Sequence, residues 1–390
     1  MEIRRAYRVR IYPNKEQQQS MLRTIGACRW VYNHYLEERK NYYLETKKTL
    51  PLKLMSADLT KLRREMDWLS GVRLAPLQQS IRCLDVAYNR FFRKEAGFPK
   101  FKSRKDCKQT FRKPNKWRIE GKKLLIQSDI FVRARGKLPP SNAKLGTLTI
   151  FTTRTGKWYA SIKSTEYTET PTERTPPIGI DLGLTHIAIT SDGKKYDNLT
   201  FAKKQTKRMK QLQQSLRRKQ SDSNRREKTR LKFARLHEKI ANQRMNYLHQ
   251  VSSAITSKNH ALIAVEDLAV ANMLKNHSLA RSIGDVGWYD LSKQIEYKQK
   301  WSGGQFFRVD RFFPSSKTCS NCYFVRQSMS LDAREWTCER CSTGHDRDIN
   351  AAKNILKQAE VQLGVEGTDG SRKVRVTGSV KRGYSMGVTL

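Results

Sequence analysis

Four cysteines near the end of the chain have the spacing of a metal site: Cys319-Ser-Asn-Cys322, fifteen residues, then Cys338-Glu-Arg-Cys341. Each Cys-x-x-Cys pair folds as a tight knuckle that turns two thiolates to one side. Two knuckles complete a tetrahedral S4 set with Zn–S distances of about 2.3 Å. Four protein ligands leave no open position, so one structural Zn2+ is expected. His345 is a further candidate ligand, but four thiolates suffice and a satisfied histidine is expected. Three carboxylates form a second group. Asp181 is expected mid-strand in Ile178-Gly-Ile-Asp-Leu-Gly-Leu184, where an unpaired acid is costly. Glu266 ends the apolar run from Ala261, with Asp267 beside it, and Asp348 starts the last helical segment, two residues after Asp346. The three are 85 and 82 residues apart. Hard oxygen ligands select Mg2+, or Mn2+. Two such ions about 3.5–4 Å apart hydrolyse phosphodiesters. Spacing leaves alternatives open. Asp348 could be only a helix N-cap, Asp346 could replace it as ligand, and Asp267 could replace Glu266.

The elements that must position these residues follow from periodicity. Residues 5–13 alternate basic and apolar, as a strand with one cationic face does. Three helical patterns follow, over 15–47, 56–66 and 75–94. In the third, Leu77, Ile81, Leu84, Ala87, Tyr88, Phe91 and Phe92 are expected to make one apolar face. Short strand-like pieces then occur at 117–119, 123–126, 130–134, 145–152 and 158–162, suiting a small antiparallel barrel or sheet completed by the N-terminal strand. The stretch 169–177 is rich in Pro, Thr and Glu and reads as a linker. Beyond it come the Asp181 hairpin, two basic helices split at 221–224, the Glu266 strand, a helix over 289–301, a strand over 304–309, the zinc ribbon and a final helix from Asp348. Residues 366–390 are expected to be disordered.

The chain has 390 residues, with 77 Lys and Arg against 36 Asp and Glu, a net charge of +41 and a pI of about 10.2. Such an excess calls for a polyanionic partner, nucleic acid first. There is no apolar run of membrane-spanning length and no signal peptide, so a cytoplasmic, nucleoid-associated protein of a prokaryote is expected rather than a membrane one. Of seven cysteines, Cys28 and Cys83 fall in apolar helical patterns and Cys107 stands apart. An odd number with two close pairs argues for a reducing compartment and one metal site.

Two strand acids and one helix-start acid match the metal-site layout of RNase H-like nucleases. Several motifs carry a resemblance to TnpB, the insertion-sequence-encoded family of RNA-guided nucleases related to type V CRISPR effectors. They are Gly26-Ala-Cys-Arg-Trp-Val-Tyr-Asn33, Ala87-Tyr-Asn-Arg-Phe-Phe92, Gly97-Phe-Pro-Lys-Phe-Lys102, Gly179-Ile-Asp-Leu-Gly183, Val265-Glu-Asp-Leu268, Pro314-Ser-Ser-Lys-Thr-Cys319 and His345-Asp-Arg-Asp-Ile-Asn-Ala-Ala352. The resemblance is near full length, and residues 359–390 match little. It implies an α/β chain with added α and β modules: a RuvC-like RNase H fold carrying an inserted zinc ribbon, preceded by a small β-barrel (wedge) domain and a helical recognition domain. The implied limits are 1–14 for the N-terminal wedge strand, 15–96 for the helical domain and 97–168 for the barrel. After the linker at 169–177 come 178–310 for the first nuclease part, 311–344 for the ribbon, 345–365 for the last nuclease part and 366–390 for the tail. The resemblance selects Asp181, Glu266 and Asp348 as catalytic metal ligands, Asp348 over Asp346. It also implies a guide RNA from the element end, and double-stranded target DNA next to a short motif, with one protein copy in the ribonucleoprotein. Gln78 falls at a position resembling a motif-reading polar residue.

The span 203–247 holds 16 Lys and Arg and is expected to grip phosphates. Arg217, Arg218, Lys219, Arg225, Arg226 and Arg244 are its candidates. Without a His-Asn-His-like signature, one active site would cut both strands in turn. Two other functions are a nuclease-inactive RNA-guided repressor, which predicts a lost acid, and an RNase H-like transposase or its accessory protein, against which the ribbon between the second and third acids argues. A compact CRISPR effector would share the chemistry.

Overall fold

The structure, a computed structural model, describes residues 1–106, 109–127, 130–330 and 332–364. Cys107 and the tail at 366–390 lie outside the described residues. The chain divides into two compact units, Met1–Thr168 and Glu169–Leu390, so the break falls at the start of the proline- and threonine-rich stretch.

The first unit runs β1 (Glu2–Tyr12), α1 (Lys15–Thr46), α2 (Leu52–Glu65), α3 (Asp67–Ser70) and α4 (Leu74–Phe92). It continues with β2 (Gln109–Lys113), β3 (Arg118–Glu120), β4 (Lys123–Gln127), β5 (Ile130–Arg135), β6 (Lys144–Thr152) and β7 (Trp158–Tyr167). Its strands pair antiparallel in the order β2-β6-β7-β1-β5-β4-β3. As expected, the N-terminal strand completes the sheet, lying along β7 from Glu2↔Tyr167 to Ile11↔Trp158. Among the described residues no backbone pairing joins β2 to β3, although Trp117, just before β3, donates its indole N–H to the Gly146 carbonyl of β6 at 3.0 Å. The start of α1 is set by a capping box: the Asn14 side chain accepts the Gln17 amide at 2.8 Å and the Gln17 side chain accepts the Asn14 amide at 3.0 Å. One continuous core joins helices to sheet, with Tyr35, Leu77 and Ile81 packed in the same cluster as Val9, Ile11 and Ile150. Strand β2 was missed in sequence because Gln-Thr-Phe-Arg-Lys carries only one apolar side chain.

The second unit runs β8 (Ile178–Asp181), β9 (His186–Thr190), β10 (Lys195–Asp197), α5 (Phe201–Lys204), α6 (Thr206–Arg217), α7 (Asn224–Thr256) and β11 (Leu262–Glu266). Then come α8 (Val270–Met273), α9 (Ala280–Val286), α10 (Trp288–Trp301), β12 (Gln305–Val309), β13 (Glu335–Thr337), β14 (Gly344–Asp346) and α11 (Arg347–Gln362). The main sheet has the order β10-β9-β8-β11-β12. Strands β8, β11 and β12 are parallel, while β9 and β10 turn back antiparallel. β11 is apolar from Leu262 to Val265 because it is covered on both faces. Leu248 and Val251 of α7 and Leu291 and Ile295 of α10 pack with Ile263 and Val265, whereas Ile355 and Ala359 of α11 pack with Leu262 and Ala264.

The packing of α11 on β8 is unusually close. A Cβ on Gly179 would lie 2.0 Å from the Ala352 carbonyl oxygen and 2.8 Å from the Leu356 amide. Both contacts are backbone, so neither can swing aside. Gly179→Ala should therefore destabilise the chain by about 3 kcal/mol or more. Gly26, inside α1, has nothing within 4 Å of its would-be Cβ, and Gly26→Ala should raise stability by about 0.5–1 kcal/mol. Thermal unfolding of the two variants should move in opposite directions; an unshifted Gly179→Ala would rule out the close approach.

Candidate active site

Asp181 is the last residue of β8 and Glu266 the last of β11. The two parallel strands are in register up to Ile180↔Val265, so both acids stand one step beyond, at the same edge of the sheet. Asp181 is thus not mid-strand as its apolar neighbours suggested. The strand stops there because the chain reverses, with the Gly183 amide donating to the His186 carbonyl at 3.1 Å. Asp348 is in the first turn of α11, the helix that packs on β8 through Gly179.

These packings bring the three carboxylates into electrostatic range. The Asp181 carboxyl is pushed up to about 7, by burial first and then by the charges of Glu266 and Asp348. The Leu182 amide and the Arg347 charge offset only part of this. Glu266 is also raised, by burial and then by Asp267. Like charges held this way are a recognised mark of functional sites.

The competing acids are already engaged. The Asp346 side chain is the N-cap of α11, accepting the Asp348 and Ile349 amides at 3.0 Å each, and it pairs with Lys195 at 2.6 Å. Burial alone would raise Asp346, but these partners leave it below its ordinary value. Capping therefore belongs to Asp346 and not to Asp348. Asp267 is paired with Arg311. By contrast, Asp348 makes a longer contact, to Arg334 of the ribbon at 3.8 Å. Sequence reasoning missed Arg334 because nothing in its neighbourhood marks it; only the fold returns it to Asp348.

The cysteine site is closed and compact. The ligand atoms of Cys319, Cys322, Cys338 and Cys341 all lie within 4.8 Å of one another. Two Sγ–Sγ separations, Cys319 to Cys341 and Cys322 to Cys338, are 3.6 Å. A tetrahedron with 2.3 Å arms requires about 3.8 Å, so the thiols fit zinc. Both knuckles turn alike: the residue after the second cysteine, Tyr323 or Ser342, is left-handed at φ 61° and 55°. Its amide donates to the carbonyl of the first cysteine, at 3.0 Å in one knuckle and 2.9 Å in the other. His345 is not needed as a ligand. Its Nε2 lies 3.1 Å from Cys319 Sγ, where a ring N–H can donate to a thiolate from the outer shell.

The ribbon is tied directly to α11. β14 ends at Asp346, the helix cap. Asn350, buried on α11, donates to the Thr318 carbonyl at 2.7 Å and accepts the Ser320 amide at 2.9 Å. Asn354 donates to the Ser315 and Thr318 carbonyls at 2.8 and 2.6 Å. The Arg347 amide donates to the Arg334 carbonyl at 2.8 Å.

The six basic candidates divide by partner. Arg226 donates to the carbonyls of Leu216 and Lys219 at 2.8 and 2.9 Å, closing the end of α6 onto α7. Arg244 donates to the Gly284 carbonyl at 2.9 Å and faces Asp285 at 3.7 Å. Lys219 reaches Thr229. Arg217, Arg218 and Arg225 are exposed around the α6–α7 turn. Gln78 is half-buried on α4, in the first unit.

Two outcomes test the site. Burial and the neighbouring acids push the folded Asp181 carboxyl from the ordinary 3.8 up to about 7, so the folded state holds its proton more tightly than the unfolded chain. Its contribution favours folding fully below about pH 4 and is lost as pH rises through about 7. With no divalent ion beyond zinc added, urea denaturation should show Asp181→Asn gaining on wild type between pH 4 and 8. A constant difference over that range would contradict the assignment. Cys338→Ser should abolish zinc retention and speed amide exchange at 345–350; unchanged exchange would mean the ribbon does not order the helix start.

Comparison with known proteins places the chain. Residues 160–277 match the family described as "Probable transposase", residues 288–355 match the Cas12f1-like TNB domain, and residues 1–48 match a helix-turn-helix domain of the same insertion-sequence group. A Streptomyces pristinaespiralis protein named "Putative RNA-guided DNA endonuclease" is 36% identical over 91% of this chain and 89% of its own length. The Escherichia coli K12 protein named "Putative RNA-guided DNA endonuclease InsQ" is 34% identical over 92% of this chain and 93% of its own. The protein in a Cas12f1–sgRNA–target DNA complex aligns with 91% of this chain and 99% of its own, at 12% identity and a TM-score of 0.59, a likeness of fold. With the motifs at Asp181, Glu266, Cys319–Cys341 and Asp348 spread along that shared length, the chain belongs to the TnpB-like family of insertion-sequence proteins.

Proposed function

We propose that this chain is an RNA-guided DNA endonuclease that cleaves both strands of a target at the Asp181–Glu266–Asp348 site. The observation that carries the reading is that Asp181 and Glu266 end neighbouring parallel strands at one sheet edge, with Asp348 in the first turn of the helix packed on β8, and that burial and then the charges of Glu266 and Asp348 push the Asp181 carboxyl up to about 7. Half-buried like charges are hard to account for in a merely structural site, and the two alternatives of the chain's own sequence, Asp346 and Asp267, are already paired with Lys195 and Arg311. All three acids are present, against a nuclease-inactive repressor.

Asp181, Glu266 and Asp348 would hold two divalent cations, Mg2+ or Mn2+, which supply positive charge to the attacking and leaving oxygens of an in-line hydrolysis. Asp181 must give up its proton to serve, so its high titration point makes cation affinity rise with pH up to about neutrality. Arg334 is exposed and faces Asp348 at 3.8 Å; with Asp348 turned to cations, its guanidinium is free to hold a phosphate oxygen. Cys319, Cys322, Cys338 and Cys341 would hold one structural zinc that keeps the segment ahead of Asp348 in place.

Nucleic acid would lie along the exposed cations. Arg217, Arg218 and Arg225 are available to phosphates of the guide RNA or its hybrid with DNA, while Arg226 and Arg244 hold the helices that present them. Sequence would be read by base pairing, with a short duplex motif read by the protein; Gln78 is the residue we assign to that reading. One protein copy would serve each guide.

The test begins with the complex purified from cells carrying the native locus and sequencing of the RNA bound to it. An RNA from the element end is expected; its absence would refute the reading. On a plasmid library with randomised flanks and Mg2+, wild type should cut next to one short motif. Asp181→Ala and Asp348→Asn should lower cutting of both strands together, by more than the ~10–100-fold that an outer-shell change costs. Persistent nicking of one strand in Asp181→Ala would show a second active site.

A further inference from the structure

We propose that Phe312 is a stacking platform for one nucleobase of the DNA strand beside the scissile phosphate, and so registers that phosphate on the acids. The inference rests on the nuclease reading above and adds to it a positioning residue.

Phe312 is the most exposed of the large hydrophobic side chains among the described residues, at 86%. Covering an aromatic ring of that size would recover roughly 2 kcal/mol of burial; exposure alone is common at protein surfaces, so the ring's place in the fold decides what could cover it. Its position is set by the fold. β12 runs parallel to β11 in register up to Glu266↔Val309, so the residues just after Val309 emerge at the edge that carries Glu266. There the chain makes a tight turn: Asp310 accepts the Phe312 amide on its carboxylate at 2.8 Å and the Phe313 amide on its carbonyl at 3.1 Å. The next ring, Phe313, packs against the core formed by Val309, Ile355 and Ala359. A turn pinned by Asp310 and anchored by an inward Phe313 leaves the intervening ring outside. Arg311, between them, is engaged with Asp267, the neighbour of Glu266, which ties the turn to the acid-bearing strand.

A flat apolar ring in the turn that emerges at the sheet edge where the Asp181 and Glu266 strands end suits a nucleobase in a single strand. Bases stack on aromatics whatever their identity, as a guide-programmed enzyme requires. Holding one base fixes the adjoining phosphate, and a displacement of about 1 Å at a reacting centre costs on the order of a hundredfold.

The test uses the purified ribonucleoprotein under single-turnover conditions, with target DNAs that carry one abasic site at successive positions across the cut. Phe312→Ala should cut about tenfold more slowly, with its zinc content and melting temperature unchanged because the ring is exposed. Phe312→Trp should cut at the wild-type rate. In wild type one abasic position should reproduce the tenfold loss, and in Phe312→Ala that same position should cost nothing further. Equal rates for Phe312→Ala and wild type would overturn the platform while leaving the nuclease intact. So would independent losses at every abasic position. A wild-type complex that cuts no target would instead remove the reading on which the platform rests.

Discussion

The second unit depends on one close contact, the backbone of α11 lying against Gly179 of β8. A side chain at that point would hold the helix off by ångströms. With glycine there, the first turn of α11 comes down to the end of β8, and Asp348 reaches the vicinity of Asp181 and Glu266. The contact is favourable to packing and unfavourable to charge. Burial raises the Asp181 carboxyl to about 7, with the charges of Glu266 and then Asp348 adding to it, in a chain whose net charge is +41. Cations elsewhere in the molecule do not cancel that local repulsion, because screened charges act over a Debye length of about 8–10 Å.

What surrounds the acids separates Asp346 and Asp267 from Asp181, Glu266 and Asp348. Lys195 and the first amides of α11 take Asp346; Arg311 takes Asp267. The ribbon then fixes α11 from the other side through Asn350 and Asn354, whose buried amides bond the segment leading into the first knuckle. Each buried amide left unpaired would cost about 1–3 kcal/mol. The thiol site is therefore mechanically linked to the helix start, and the zinc-binding and carboxylate groups, although chemically separate, share a support.

Much of this was legible in the residues. The Cys-x-x-Cys spacing, the apolar runs into Asp181 and Glu266 and the helical span after the ribbon all express local rules of knuckle, strand and helix, and the structure places each element within a few residues of its expected limits. What was not legible depends on distant partners. Nothing local says that Asp181 ends its strand, since Leu182 and Leu184 continue the apolar pattern; the reversal at Gly183 decides it. Asp346 and Asp348 are equally plausible caps until the helix forms and the amides choose Asp346. Arg226 and Arg244 look like any other cations of the basic span, yet they hold Leu216 and Gly284 carbonyls. Arg334 carries no local signal at all. The family resemblance singles out Asp181, Glu266 and Asp348, and the pairings of Asp346 with Lys195 and of Asp267 with Arg311 set those two neighbours apart on physical grounds.

The most direct measurement is Mn2+ binding to the zinc-loaded protein near pH 7.5, followed by the electron paramagnetic resonance signal of the free ion. The account predicts saturable binding in wild type, and its loss when Asp181, Glu266 or Asp348 alone is replaced by the matching amide. It also predicts binding retained in Asp346→Asn and Asp267→Asn. Wild-type binding in any one of the three amide variants of the proposed ligands would contradict a shared cation site.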